Sequence, residues 1–426
     1  MGVTRIAHIS DTHIGYSAYR PLAANGENQR SNDIAKAFAK NIEEIRAWDP
    51  PLVVHSGDVA DRVNIPVRAM LFIRQQLERL AEIRPDGTRR QVVVIAGNHE
   101  LPSRRNEACF LELYRDLPGV HVVCDEYKVV RFGKDADPAL AEVAVHCVPH
   151  DTWKDLAHEQ RMDEVAPVPG LMNVLLAHGV AGGSTLFKRV MGREYHIPTE
   201  VLAREWEYGA LGHWHKRGPV GPGGNSSRVW YAGSTENNGF GDVIENDETR
   251  GHLRVTLERG EMPQVKHIAV PIRPMFRLPV LDAAEKNPEQ IADALVAALK
   301  KVRDDGKLAG AVVGQVVTGV PRDVWALVDT TAARRLGEAA LHYELTVRPV
   351  HLEREEGEKK SNMLAGVDAM LDELGTSLVP KDQRESAIAM AKTLLGRHLA
   401  HVTENSEDAD DDASETAEVK GQENAA

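Results

Sequence analysis

Five short apolar runs in this chain each end near a glycine and a side chain able to hold a metal ion. Residues 3–9 lead into Asp11 and His13, 52–55 into Asp58, and 91–95 into Asn98 and His99. Residues 172–177 lead into His178, and 208–211 into His213 and His215. In an extended segment alternate residues face one side, so His213 and His215 aim into one space. Open α/β sheets gather their functional groups at the carboxyl ends of strands, and glycine permits the tight turns this needs. The repetition therefore points to strands whose ends converge.

What lies between the runs agrees. Ile34, Phe38, Ile42 and Ile45 recur at helical spacing; so do Val67, Met70, Leu71, Leu77 and Leu80, after Pro66, which suits a first helical turn. Residues 141–148 form a further strand candidate, and 230–270 are rich in strand and turn signals. Strands alternating with helices predict an α/β fold with strands buried on both faces. Near residues 271–274 the pattern changes. Residues 275–350 read as strand, helix (285–303), strand (311–320), helix and strand (343–350), a small separate α/β domain. Polar residues 353–360 follow, then two amphipathic stripes. One runs through Met363, Leu364, Val367, Met370, Leu371 and Leu374, the other through Ile388, Ala391, Leu394, Leu395 and Leu399. Isolated helices this short are marginal, so these two need another surface to pack on.

Charge and cysteine content narrow the class. Net charge is −13; residues 403–426 hold nine acids and one lysine, which is −8 and leaves −5 for the rest. That tail is expected to be disordered and solvating. An acidic total disfavours non-specific nucleic-acid binding but leaves room for a local basic groove. Arg20, Arg30, Arg62, Arg104, Arg105, Lys188, Arg189, Arg193 and Lys216 are candidate phosphate contacts. No run approaches the roughly 18 apolar residues of a membrane span. The first residues read as a strand, without a secretory signal pattern. Cys109, Cys124 and Cys147 form no CxxC pair. We expect a reducing, cytoplasmic setting.

Asp11, His13, Asp58, Asn98, His178, His213 and His215 make seven candidate ligands. One ion rarely needs seven. Two ions sharing Asp58 would use all of them, four each. Mixed nitrogen and oxygen donors without thiolate suit manganese, iron or zinc. Two ions about 3.5–4 Å apart clamp the attacking and leaving oxygens of phosphoryl transfer and lower the pKa of bound water towards about 7. His99, next to a ligand, is expected to stay unligated and act on the transition state or the leaving oxygen. His8, His55, His146 and His150 are read as core histidines.

The order DxH, GD, GNH, H, GHxH resembles the calcineurin-like metallophosphoesterase superfamily. By that resemblance Asp11, His13, Asp58 and His215 would hold one metal, and Asp58, Asn98, His178 and His213 the other. "SDTHIGYSAYR", "RSNDIAKAF", "VVHSGDVADR", "YAGSTENNGFGD" and "RGHLRVTLERG" are similar to SbcD-type DNA repair nucleases. The resemblance implies a two-sheet sandwich flanked by helices over residues 1–275 and a capping domain over 276–352. It also implies a linker and helical pair over 353–402, ahead of the acidic tail at 403–426. It further implies a manganese-dependent DNA nuclease, working as a homodimer with an SbcC-like coiled-coil ATPase held through residues 361–400. Two departures stand out: Glu100 follows the catalytic histidine where Asp is usual, and Asp61 replaces a second histidine found in many archaeal and eukaryotic relatives. The alternatives are a small-molecule phosphodiesterase or phosphatase with the same metals, and a non-catalytic scaffold holding DNA ends.

Overall fold

The computed structural model describes residues 3–101, 108–133, 136–182, 196–221, 224, 227–243, 249–349 and 390. The expected helical pair and acidic tail lie outside these residues, as do Arg104, Arg105, Lys188, Arg189 and Arg193. The chain divides after Arg348.

Strands and helices alternate at first: β1 Thr4–Ile9, α1 Gln29–Trp48, β2 Leu52–His55, α2 Val67–Leu80, β3 Gln91–Ile95 and β4 Val120–Val123. There follow β5 Lys128–Arg131, β6 Val143–Val148, α3 Thr152–His158, β7 Met172–His178, β8 Val180–Ala181 and β9 His196–Ile197. Next come α4 Thr199–Leu202, β10 Tyr208–Gly212, β11 Gly218–Pro219, β12 Val229–Tyr231, β13 Arg250–Leu257 and β14 Gln264–Val270. The last elements are β15 Met275–Arg277, β16 Leu281–Asp282, α5 Pro288–Asp304, β17 Val312–Val320, α6 Arg322–Ala326, α7 Thr331–Gly337 and β18 His342–Pro349.

Two six-stranded sheets form, in the orders β14-β13-β1-β2-β3-β4 and β11-β12-β10-β7-β6-β5. Their central strands are parallel, and side-chain parity explains the layers. On β3, Val93 and Ile95 point between the sheets while Val92 and Val94 point outward to α1 and α2. On β7, Val174 and Leu176 point between the sheets while Leu175 and Ala177 face outward, in a layer with Trp153 of α3 and Val201 of α4. The strands are buried on both faces, which is why they read as continuous apolar runs. Each fully buried Val, Leu or Ile contributes about 1.5–3 kcal/mol. This is the mixed α/β sandwich flanked by helices that the sequence predicts.

Helix α1 starts where the Asn28 side chain accepts N–H bonds from Arg30 (3.0 Å) and Ser31 (3.3 Å), and stops at Asp49 in the left-handed region. Pro66 turns out to be the residue that caps α2, not part of its first turn. Beyond residue 274 a smaller sheet, β15-β17-β16 with β18 on β17, packs Val313 and Val317 against Ile291, Leu295 and Leu299 of α5. The single helix expected after β17 is two, α6 and α7. Arg273 joins this part to the sandwich: its guanidinium pairs with Asp33 of α1 (2.7 Å) and donates to the Gly310 carbonyl (2.6 Å).

Register decides where the site falls. Ile9 lies beside His55 across β1 and β2, and Gly212 beside His178 across β10 and β7. Parallel strands in step thus release their following loops at one end of the sandwich.

Candidate metal centre

The loops at that end are locally unfavourable and held by hydrogen bonds. Asp11 (φ 49°), His13 (φ 51°), Asp58 (φ 53°) and His213 (φ 98°) all have left-handed backbones. Such conformations cost about 1–3 kcal/mol each and cluster at functional sites. Asp11 N–H donates to Gly57 O (3.1 Å), and the N–H groups of Thr12 and His13 both donate to Asp58 O (2.8 and 3.0 Å). The Asp11 carboxylate accepts His213 N–H (2.9 Å), and the Asp58 carboxylate accepts His99 N–H (3.0 Å). Gly57 is required here: its φ is 97°, and a Cβ would sit 2.9 Å from the Gly97 backbone.

All seven candidate ligands come together. Three trios have ligand atoms within 4.8 Å of one another: Asp11, His13 and His215; His13, Asp58 and His99; Asp58, His178 and His213. Asp58 Oδ2 lies 3.8 Å from His13 Nε2 and 3.5 Å from His178 Nε2, between the two sides. Asn98 Oδ1 is 3.0 Å from both His178 Nε2 and His213 Nδ1. His13 Nε2 and His215 Nε2 are 3.0 Å apart. Donors about 2.1 Å from one ion at right angles lie about 3 Å from each other, so these spacings suit shared coordination.

Polar accounting gives the same answer. Asp11 Oδ2 is buried without a hydrogen-bond partner. His178 donates through Nδ1 to Ser56 O (2.7 Å), which leaves its Nε2 lone pair facing Asn98 and Asp58. His215 donates through Nδ1 to Asp242 (2.8 Å), which likewise turns its Nε2 inward. Metal-binding histidines are commonly oriented this way by a carboxylate or carbonyl behind them. Burial pushes His13 and His178 down to about 3, so both rings are neutral, the form a metal needs. Burial pushes Asp11 up to about 7. Burial acts downward on His215, but Asp242, Asp11 and Asp58 outweigh it and hold the ring up at about 9. Burial acts upward on Asp58, yet His178, His13 and His99 keep it below the usual carboxylate range. Inward-facing lone pairs and buried carboxylates fit divalent cations.

His99 occupies the rim. Its ring meets His13 edge-on at 4.7 Å, its Nε2 is 3.9 Å from Asp58 Oδ2, and its Nδ1–H donates to the Asp61 carbonyl. The side chain is 37% exposed, enough to meet a substrate.

Three neighbours escaped sequence reasoning. Asp242 orients His215, and its second oxygen accepts Asn238 N–H (2.7 Å); it sits in the GFGD stretch, which carried only a resemblance. His150, read as a core histidine, has its ring 5.8 Å from that of His178 and 6.0 Å from that of His213. It follows strand β6 just as the ligands follow theirs, and that was the available signal. Glu100 is fully buried beside Asp58. The other core readings match what is seen. His8 bonds Tyr208 (2.8 Å) and Ser56 (2.9 Å), His55 bonds Thr12 (2.7 Å), and His146 bonds Tyr127 (2.8 Å) and Asn173 (3.0 Å). Arg30 is not a phosphate contact: it is fully buried, paired with Asp33 (3.0 Å) and Glu236 (3.2 Å). Arg20, Arg62 and Lys216 are exposed, Arg62 being paired with Asp61 (2.6 Å).

Comparison with known proteins places this geometry. The model of the calcineurin-like phosphoesterase family matches residues 4–217. The chain is 27% identical over 239 residues to the DNA double-strand break repair protein Mre11 of Methanocaldococcus jannaschii, covering 54% of this chain and 56% of that one. It is 24% identical over 288 residues to the Mre11 of Sulfurisphaera tokodaii, covering 65% of each. To that of Sulfolobus acidocaldarius it is 24% identical over 309 residues, covering 71% of this chain and 72% of that one. The match thus spans just over half the length of the first of these relatives.

Proposed function

Because the chain belongs to the calcineurin-like phosphoesterase family, we propose that its centre hydrolyses phosphodiester bonds of DNA in double-strand break and hairpin processing. The observation that carries this is the meeting of seven donor side chains, from five strand ends, around Asp58. Similarity to proteins described as acting in DNA double-strand break repair supports DNA as the substrate. In this reading Asp11, His13, Asp58 and His215 hold one divalent ion, and Asp58, Asn98, His178 and His213 a second. Manganese is the proposed metal. Such ions supply Lewis acidity to the phosphoryl oxygens and a nucleophile at neutral pH.

The chain's own residues do the rest. Asp58 keeps the two halves at a fixed spacing. Asn98 contributes a neutral oxygen, which limits the negative charge that an anionic phosphodiester must approach. His99, locked at Nδ1 by the Asp61 carbonyl, presents Nε2 to the cleft, where a proton can be passed to the leaving oxygen. His215 is kept in register by Asp242.

We further propose a cytoplasmic enzyme, homodimeric, partnered by an SbcC-like ATPase through residues 361–400. In that organisation 1–275 is the nuclease domain, 276–352 the cap, and 353–402 the partner-binding linker and helices. The test is digestion of linear and hairpin-ended DNA with manganese, with and without the ATPase, beside bis-p-nitrophenyl phosphate. Metal-dependent DNA cleavage is expected. Cleavage of the small ester alone would favour a small-molecule phosphodiesterase.

A further inference from the structure

Cys109 and Cys124 are distant in sequence and form no spacing motif, yet the fold brings their thiols into hydrogen-bond contact. The path between them is a closed excursion. Cys109 precedes a 3-10 turn, Phe110–Tyr114, and its carbonyl accepts Glu112 N–H at 3.0 Å. A tight turn, in which Val120 N–H donates to Leu117 O at 3.0 Å, leads into β4, and Cys124 follows that strand. Strand β4 runs parallel to β3, with Ala96 N–H donating to Val123 O at 3.0 Å, so Cys124 stands where β3 ends. Both cysteines belong to the core layer that holds Leu111 and Tyr114.

The third cysteine provides a contrast. Cys147 of β6 is fully buried between the sheets, and its S–H faces the Val145 carbonyl at 3.7 Å. Burial pushes that thiol up, which leaves it inert. Cys109 keeps 5% of its surface exposed, and the Cys124 S–H bonded to it holds its thiol below the usual range. The same contact, together with burial, pushes Cys124 up. One sulfur is thus readied as a nucleophile with a second sulfur beside it. Oxidant-responsive cysteines have this arrangement, an attacking thiolate next to a resolving thiol.

We infer that Cys109 and Cys124 form a reversible modification site, a dithiol that hydrogen peroxide converts to an intramolecular disulfide and a dithiol reductant restores. The Cys109 sulfur attacks one peroxide oxygen and the O–O bond breaks. The departing hydroxide takes up the Cys109 proton and leaves as water. The Cys124 sulfur then attacks the sulfur of the resulting sulfenic acid, and its S–O bond breaks. That hydroxide takes up the Cys124 proton and leaves as a second water. Two electrons pass from the sulfur pair to the peroxide. Rotation about the Cα–Cβ bonds takes thiols already in contact towards the roughly 2 Å separation of a disulfide. Disulfides in reducing compartments are commonly transient and redox-sensing. Here the bond closes the excursion through the 3-10 turn and β4, which restricts the unfolded chain. None of this depends on the metal-centre reading.

The test is peptide mapping by mass spectrometry. Full-length protein in chelator is treated with a small excess of hydrogen peroxide, and the remaining thiols are alkylated. The expected product is a linked peptide pair holding Cys109 and Cys124, with Cys147 alkylated as before, and dithiothreitol should release the link. The oxidised chain should melt a few degrees above the reduced one. In Cys124→Ser the link is absent and Cys109 runs on to the sulfinic acid, which dithiothreitol does not reverse. Cys147→Ser should form the link as the parent does. Cys109 and Cys124 alkylated to the same extent with and without peroxide would overturn the inference. So would a link through Cys147 or between two chains, or equal sulfinic acid at Cys109 in the parent and in Cys124→Ser. Mapping of the parent decides the matter even where a variant does not fold.

Discussion

At Asp58, left-handed backbone, full burial and contact with both halves of the centre coincide. Asp58→Ala should therefore lose or scramble both ions, while Asn98→Ala weakens mainly the His178–His213 side. Elemental analysis of each variant decides it, and near-full occupancy in Asp58→Ala would remove Asp58 from its bridging place. His99 is expected to behave in the opposite way. Its ring sits at the rim with Nδ1 tied to a carbonyl, so His99→Ala should keep manganese and DNA binding yet cut at least about 10²-fold more slowly. A loss confined to turnover marks an interaction made in the transition state; a lost ion would make His99 a ligand. The convergence of the seven side chains was legible in the sequence because each follows or ends an apolar strand. Asp242 was not, because it acts on His215 from behind, across 27 residues of sequence. Glu100 could be seen in the sequence, but not its place, since its partners are backbone N–H groups that no residue pattern displays.

Elements explain why the donors meet. The parallel registers of β1 with β2 and β7 with β10 bring their loops to one end, and strand parity sends alternate residues to the middle and outer layers. Most core strands were readable as uninterrupted apolar runs. Strands β4 and β5 were not picked out; both lie at sheet edges, and β5 carries exposed Lys128 and Arg131. Buried polar pairs between elements add a pH dependence. His252 of β13 bonds Asn41 of α1 at 2.8 Å, and burial lowers it to about 3. The unfolded chain therefore takes up a proton near pH 6.5 that the folded chain refuses. Stability from this residue is full above that pH and falls as pH drops towards 3. Between pH 7.5 and 5.5 the loss is about 1.4 kcal/mol. Urea unfolding in chelator at the two pH values should show His252→Gln losing less than the parent by about that amount. An identical pH dependence in both would mean that His252 takes up its proton as readily in the folded chain as in the unfolded one.

On the scale of the whole molecule, the smaller sheet after residue 274 has its own core and is linked to α1 through the Arg273–Asp33 pair. That a second, smaller sheet follows was readable from the change of pattern near residues 271–274, although the chain does not divide there; that salt link, spanning 240 residues, was not. A chain ending near Glu356 should fold and retain manganese-dependent cleavage, but no longer capture the ATPase in a pull-down; undiminished capture would move the partner site elsewhere. The proposed cleavage of DNA would require both ion positions around Asp58 to be filled. It is tested most directly by adding manganese stepwise to metal-stripped protein while following release of nucleotides from linear DNA. Cleavage should remain near background through the first equivalent and rise as the second binds. Full activity with one equivalent, or no cleavage at any manganese concentration, would contradict it.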